Sequence, residues 1–365
     1  MRLSHLDFEL PEELIARRPL QRRDQSRLLI HHCQTEKTQH RKFSDVLDYF
    51  CDGDLLVLNN SQVVPARMLC RKPTGGAVEG LWLNARADGT AVCMLSGGRL
   101  RAGVELQFAQ EQNGEVHLLG NGPQLCLQKK LNAGRWVIKN STDLDWHSLL
   151  TQMGHTPLPP YIRRLRRDAG EAEDSEEDRR RYQTVWAERP GSVAAPTASL
   201  HFTPELIQAL KNKGVKFTHI TLHVGAGTFL PVEAARVENH QMHAEKFGLS
   251  AQAATDLFEA RKEGKRIVAV GTTACRLLES LPAEPSESMG ETDLFILPGH
   301  DFRWTDALIT NFHTPKSTLL ALVAAFVGKN IGPNIGLERV HGVYRQAIEE
   351  NYRFYSYGDA SLWLT

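Results

Sequence analysis

Between Ala66 and about Asn140, apolar and polar residues alternate in short runs, and no 3.6-residue period interrupts them. Asp88-Gly89, between LWLNAR and AVCML, and Asn113-Gly114, between VELQFAQ and VHLLG, are two-residue hairpin signals. Five or six short strands of this kind predict a small barrel or sandwich. From about Thr203 the pattern changes to apolar strands alternating with helices. Thr203-Pro204 opens a helix over ELIQALKNK that Gly214 stops, and Ser250 opens AQAATDLFEARKE, which Gly264 stops. FTHITLHV, IVAV, DLFIL and ALIT read as strands, and STLLALVAAFV, from Ser317, as a helix apolar all round and packed on both sides. LLVLNN, residues 55–60, is a buried strand lying before the β-region. The pattern predicts an α/β fold with a mixed or parallel sheet, residues 1–65 plus 156–365, interrupted by a small β-barrel domain, residues 66–155. The charged stretch 168–181, DAGEAEDSEEDRRR, is expected to be a mobile loop, its run 171–178 above all.

Composition narrows the class. A chain of 365 residues, 41% hydrophobic and 24% charged, can bury normal cores without disulfides or metal. No apolar run approaches the roughly 18 residues of a membrane span, and MRLSHLDFELPEEL lacks the pattern of a secretory signal. The six cysteines lie apart with no C-x-x-C pair, which suits a reducing cytoplasm and argues against a zinc site. With 43 basic and 43 acidic residues, bulk charge advertises no polyanionic partner. Charge is clustered, however: Arg17, Arg18, Arg22, Arg23 and Arg27 form one knot, and Arg163, Arg164, Arg166 and Arg167 another. Such knots either grip phosphates through counterion release or form a solvated, salt-bridged surface, and an acidic run follows the second directly.

Open α/β sheets place their chemistry at strand ends, and three strand ends here are rich in polar groups. LHVGAGTF, residues 222–229, ends a strand in His223, and Gly225 and Gly227 would let backbone N–H groups approach a ligand; a tight turn explains the glycines equally well. VGTTACR, residues 270–276, offers Thr272, Thr273 and the Arg276 fork, with an ordinary helix cap as the plain alternative. ITNFHTPKST, residues 309–318, packs Asn311, His313, Lys316 and Ser317 between a strand and a helix start, where anions bind readily. GSVAAPTASLHFT adds His201 after a small, uncharged run. His240, His243 and Glu245 lie together, and His240-x-x-His243 resembles a metal spacing, but no third ligand is nearby, so a metal is not expected.

In order along the chain, ELPEELIARRPLQRRDQSRLL, GDLLVLNNSQVVPAR, PLPPYI, RYQTVW, GSVAAPTASLHFT, LHVGAGTF, QMHAEKF, VAVGTT, DALITNFHTPKSTLLALVAAFVG and YRFYSYGDA resemble the characteristic blocks of the S-adenosylmethionine:tRNA ribosyltransferase-isomerases. The resemblance runs from Phe8 to Ala360. It implies an α/β domain with an inserted β-barrel. It also implies transfer and isomerisation of the ribosyl moiety of S-adenosylmethionine onto 7-aminomethyl-7-deazaguanine at the tRNA wobble position. Epoxyqueuosine, adenine and methionine would be the products. S-Adenosylmethionine is then a consumed substrate, and no metal or other cofactor is implied. Gln62, Ala77, Gly80, Trp186, Ser199 and Cys275 depart from the family pattern.

The implied route begins at the ribose C5′ hydrogens, which the sulfonium acidifies. His201, His223 and His313 are the expected acid and base groups, since imidazole titrates near neutrality. Gly225, Gly227, Thr272, Thr273, Arg276, Asn311, Lys316 and Ser317 are expected to bind substrate, with Arg276 and Lys316 for the methionine carboxylate. Arg163, Arg164, Arg166 and Arg167 are expected to bind tRNA. A monomer is expected. A catalytically weakened tRNA-binding protein of the same fold is the alternative, motivated by Gln62, Ala77 and Gly80.

Overall fold

The computed structural model of the chain describes residues 1–112, 115–118, 122–229, 232 and 234–365. In chain order the strands begin with β1 (Arg27–His32), β2 (Lys37–Lys42), β3 (Leu55–Asn59), β4 (Ser61–Val63), β5 (Arg67–Arg71) and β6 (Ala77–Ala85). Next come β7 (Ala91–Ser96), β8 (Glu105–Gln112), β9 (Glu115–Leu118), β10 (Gln124–Lys130), β11 (Arg135–Asn140) and β12 (Arg189–Ser192). The last are β13 (Lys216–Leu222), β14 (Glu245–Leu249), β15 (Ile267–Val270), β16 (Ser288–Thr292), β17 (Ala307–Asn311) and β18 (Ala360–Leu364). The helices are α1 (Trp146–Met153), α2 (Pro160–Asp168), α3 (Glu176–Arg181) and α4 (Pro204–Asn212), then α5 (Ala251–Lys262), α6 (Thr272–Ser280), α7 (Thr318–Gly328) and α8 (Pro333–Glu349).

Two compact units result: Met1–Ser61 with Thr184–Arg189 and Ala195–Thr365, and Gln62–Gln183 with Pro190–Ala194. The first holds a nine-stranded sheet, among the described residues, in the order β16-β14-β13-β3-β15-β17-β18-β1-β2. β13, β3, β15 and β17 run parallel, and β18 returns antiparallel to β17. The apolar runs are continuous because both faces are covered. Leu28, Leu56, Leu58, Val268, Val270, Ile309 and Leu362 share one face with Phe43, Phe202, Leu206 and Leu210. The opposite-parity residues Leu29, Val57, Ala269, Leu308 and Trp363 are buried as well. Side-chain caps at Thr203, Ser250 and Ser317 start α4, α5 and α7, each worth about 1 kcal/mol. α7 is buried from Leu320 to Gly328. α8 crosses it at backbone contact: a Cβ on Gly336 would lie 2.5 Å from the Ala324 carbonyl oxygen, so this crossing requires glycine. No single helix among the described residues is long and apolar enough to cross a membrane.

In the second unit, β10, β11, β7, β6, β5 and β8 close into a barrel through the β10–β8 pairing, and β9 extends β8 as a hairpin. Phe108, Leu125, Leu127, Trp136 and Ile138 fill the barrel together with Trp146, Leu149 and Leu150 of α1. Asp88-Gly89 makes the β6–β7 turn, with Gly89 at φ +80 and the Asp88 carboxylate accepting from the Thr90 N–H at 3.1 Å. The Asn113-Gly114 turn lies outside the described residues.

Four expectations are corrected. DLFIL is not a strand; Ser288–Thr292, just before it, is the one that pairs, with β14. β13 ends at Leu222, so His223 is the first residue beyond it. The second unit reaches Gln183 rather than residue 155, because α2 and α3 belong to it. The acidic run 171–178 is not a mobile loop: it is an ordered strap clamped by arginines. Glu173 accepts from Arg67 at 2.7 Å, Arg163 at 3.2 Å and Arg167 at 2.9 Å. Ser175 caps α3, and Asp178, buried, takes both terminal nitrogens of the fully buried Arg166 at 2.6 and 2.8 Å. Burial pushes Asp174 up, yet His155 and Arg67 hold its carboxyl below the usual range. Sequence shows six carboxylates in eight residues but not the partners that neutralise them.

Candidate active site

The parallel strands β13, β3, β15 and β17 all end on one edge of the sheet, and the start of β18 pairs with the end of β17 there. β1 lies parallel to β18, so Ser26 and Arg27 reach the same edge. The chemistry-bearing segments follow these strand ends directly.

At the end of β17, Asn311 is buried, and its amide nitrogen lies 3.3 Å from Nε2 of His201 and 3.4 Å from the Asp359 carbonyl oxygen. His201 closes a 3-10 turn, Thr197–His201, and its Nδ1 is 2.7 Å from the Ser26 hydroxyl. Its ring lies against Phe43 with centroids 4.9 Å apart. Burial lowers the His201 pKa to about 3. Two residues past β17, His313 is also pushed down to about 3 by burial; its Nε2 is 2.9 Å from the Thr310 hydroxyl, and its backbone N–H donates to the Tyr344 hydroxyl.

β15 runs into α6 through Gly271, at φ +94, a left-handed conformation that glycine adopts without strain. Thr272 and Thr273 form the first turn of α6, and Arg276 follows one turn later. The Arg276 guanidinium is buried: Nε donates to the Leu294 carbonyl at 3.1 Å, and Nη1 pairs with Glu245 on β14. The other Glu245 oxygen accepts from the Gly225 N–H at 2.9 Å. Gly225 is therefore tied to the protein rather than left open for a ligand. Gly227 is needed for close approach, since a Cβ there would lie 2.5 Å from the His243 ring. His223 is half-buried, and desolvation lowers its pKa, helped by Lys246.

Four sequence-derived candidates stand apart. Lys316 sits at φ +54, half-exposed, with its ammonium 2.8 Å from Asp7. Ser317 caps α7 and donates to the Thr314 carbonyl at 2.8 Å, which is a structural task. Arg166 is spent on Asp178 and is not a surface phosphate contact, while Arg163 is largely buried between Glu79 and Glu173; Arg164 and Arg167 are exposed. The metal-like spacing disperses: His240 packs edge-on to Phe295, His243 lies over Gly227, and Glu245 holds Arg276. Sequence marks Glu245 only beside His240 and His243, not as the partner of Arg276 and Gly225; nothing local marks Ser26.

Among the described residues, several buried polar atoms on this edge have no protein partner: Asn311 Oδ1, Thr273 Oγ1, Arg276 Nη2, His223 Nδ1 and Ser199 Oγ. Each unpaired buried group costs roughly 1–3 kcal/mol, and native proteins keep few. On this edge they lie after β13 and β15, at the end of β17 and in the turn beside it, where a ligand would complete the hydrogen bonding; other such atoms lie elsewhere in the fold, among them Asp24 Oδ1, Trp82 Nε1 and His300 Nε2. Fold and edge together define an α/β enzyme with its polar groups at the C-terminal ends of parallel strands and a β-barrel as a second unit.

Comparison with known proteins identifies which one. The family described as "Queuosine biosynthesis protein" matches residues 3–363, and this chain belongs to it. An S-adenosylmethionine:tRNA ribosyltransferase-isomerase of Thermotoga petrophila is 44% identical over 100% of both chains. One from Natranaerobius thermophilus is 42% identical over 99% of this chain and 98% of its own. The crystal structure of an S-adenosylmethionine tRNA ribosyltransferase from Thermotoga maritima aligns over 99% of this chain and 100% of that one, with TM-score 0.54 and 36% identity.

Proposed function

We propose that the chain is an S-adenosylmethionine:tRNA ribosyltransferase-isomerase. It moves and isomerises the ribosyl group of S-adenosylmethionine onto 7-aminomethyl-7-deazaguanine at the tRNA wobble position, giving epoxyqueuosine, adenine and methionine. Full-length kinship with relatives of that name carries the reading. The polar edge is the location we favour, since its unpaired donors and acceptors are of the kinds that a nucleoside and an amino-acid carboxylate pair with. A cytoplasmic monomer fits a reaction on tRNA. The weakened-binder alternative has no observation in its favour at this edge, where the polar groups are kept.

The roles divide by what each group has free. Nη2 of Arg276 and the N–H groups at the start of α6 suit the methionine carboxylate. His201 is a poor base, since both ring nitrogens are engaged. His223 keeps an unpaired Nδ1 and is the best placed of the three to take the C5′ proton. His313, held neutral by burial, can orient a leaving group.

Incubation with S-adenosylmethionine and precursor-bearing tRNA should release adenine and methionine together. S-Adenosylhomocysteine as the product would mean methylation instead, and no consumption would mean binding only. In the same assay His223→Gln should lower adenine release by about 10²–10⁴-fold while binding persists; unchanged turnover removes His223 from this role.

A further inference from the structure

The hydrogen bonds around His201 have a direction, and it can be read from their two ends. Both ends are backbone carbonyls, which only accept. At one end the Ser26 hydroxyl donates to the Arg23 carbonyl at 3.1 Å. With its proton used, Ser26 Oγ accepts from His201 Nδ1–H at 2.7 Å. The Arg23 carbonyl also favours a proton on the ring. Burial keeps the imidazole neutral, so Nε2 is a bare lone pair. At the other end the Asp359 carbonyl, 3.4 Å from the Asn311 amide, can face only its NH2 group. That same nitrogen lies 3.3 Å from His201 Nε2, which accepts its second proton. The two ends agree on one arrangement. A flipped amide would set Oδ1 against both a lone pair and a carbonyl oxygen.

The arrangement leaves one group without a partner, Asn311 Oδ1, in a residue that is 2% exposed. It stands at the end of β17, on the edge that also carries the unpaired Thr273 Oγ1, Arg276 Nη2 and His223 Nδ1. We propose that His201 is a positioning residue, anchored by Ser26, that fixes Asn311 as a one-way acceptor for a hydrogen-bond donor on the nucleoside of the ribosyl donor. This rests on the function proposed above. It gives His201 a task other than proton transfer, and it assigns a role to Ser26. An amide whose two protons are both committed presents only an acceptor outward. The site therefore selects N–H or O–H, either the adenine amine or a ribose hydroxyl. Phe43, packed against the imidazole with the ring planes 30° apart, restricts the rotation of the ring.

Two measurements on the full chain test this. NMR of the free protein should show His201 protonated at Nδ1 and bare at Nε2 from pH 5 to 8; a proton on Nε2 overturns the proposal. Binding is then measured with S-adenosylhomocysteine, which keeps the nucleoside but cannot react, and with its N6,N6-dimethyl and 3′-deoxy forms. The wild-type protein should prefer the parent compound over one of these by about 5–10-fold, the worth of one neutral hydrogen bond. The affected analogue tells whether the adenine amine or the ribose hydroxyl is the donor. Asn311→Ala and His201→Leu should lose that preference, and His201→Gln, whose amide oxygen can replace Nε2 as acceptor, should restore it. A merely structural His201 would lower the melting temperature and leave the preference intact, which overturns the proposal. If the parent compound binds and no variant alters the preference, this proposal fails and the enzymatic reading stands. If the parent compound does not bind the wild-type protein, both fall.

Discussion

Two histidines named for acid–base chemistry turn out to be the most strongly desolvated on the polar edge of the sheet. Burial takes His201 and His313 from 6.5 to about 3. Their folded pKa values are depressed, so the unfolded chain takes up protons that the folded chain excludes. Their contribution to stability is complete above pH 6.5 and is lost as pH falls from there toward 3. Each adds a slope of about 1.4 kcal/mol per pH unit in that window. Urea midpoints at pH 7, 6 and 5 should therefore fall less steeply in His313→Gln than in the wild-type protein; parallel slopes would mean that His313 is not neutral in the fold. Sequence marked these positions by residue type and by place after strands. It could not show that Ser26, 175 residues away, occupies one nitrogen of His201. Nor could it show that Lys316 turns to Asp7. Partners distant in sequence decide which imidazole is available, and a local motif carries no record of them.

At the scale of elements, helices with caps and apolar strands were legible, because Thr203, Ser250 and Ser317 and the runs LLVLN and IVAV carry local signals. The strap 171–178 was not, because composition alone treats unpaired and paired carboxylates alike. Arg166 and Asp178 are both nearly inaccessible and joined by two hydrogen bonds. Breaking such a pair costs about 3–5 kcal/mol by leaving one charge buried. Arg166→Ala should lower the thermal transition markedly, and Arg166→Met with Asp178→Leu should recover most of it. Arg164→Ala with Arg167→Ala should leave that transition in place while weakening tRNA binding and flattening its salt dependence. Equal thermal losses in both variants would mean that the exposed arginines are structural too. Unchanged affinity across a salt series would take Arg164 and Arg167 out of tRNA recognition.

Over the whole molecule, the change from alternating short runs to strand–helix repeats was enough to separate barrel from α/β sheet, since the two periods differ. The outer limits of the second unit were less legible: α2 and α3 look like any connecting helices until Arg67 on β5 is seen holding Glu173. The sheet order, with β18 between β17 and β1, is also beyond local pattern, yet it is what carries Ser26 to Asn311. This topology and the family membership support one account, an enzyme that spends S-adenosylmethionine as a ribosyl donor at the C-terminal ends of its parallel strands. The most direct measurement follows the sugar itself. With S-adenosylmethionine labelled in its ribose carbons and precursor-bearing tRNA, the account predicts label on the tRNA in a one-to-one ratio with adenine set free. Arg276→Gln should need a higher donor concentration for the same yield. Label that stays in a small-molecule product, or tRNA labelled only from the S-methyl group, would contradict it.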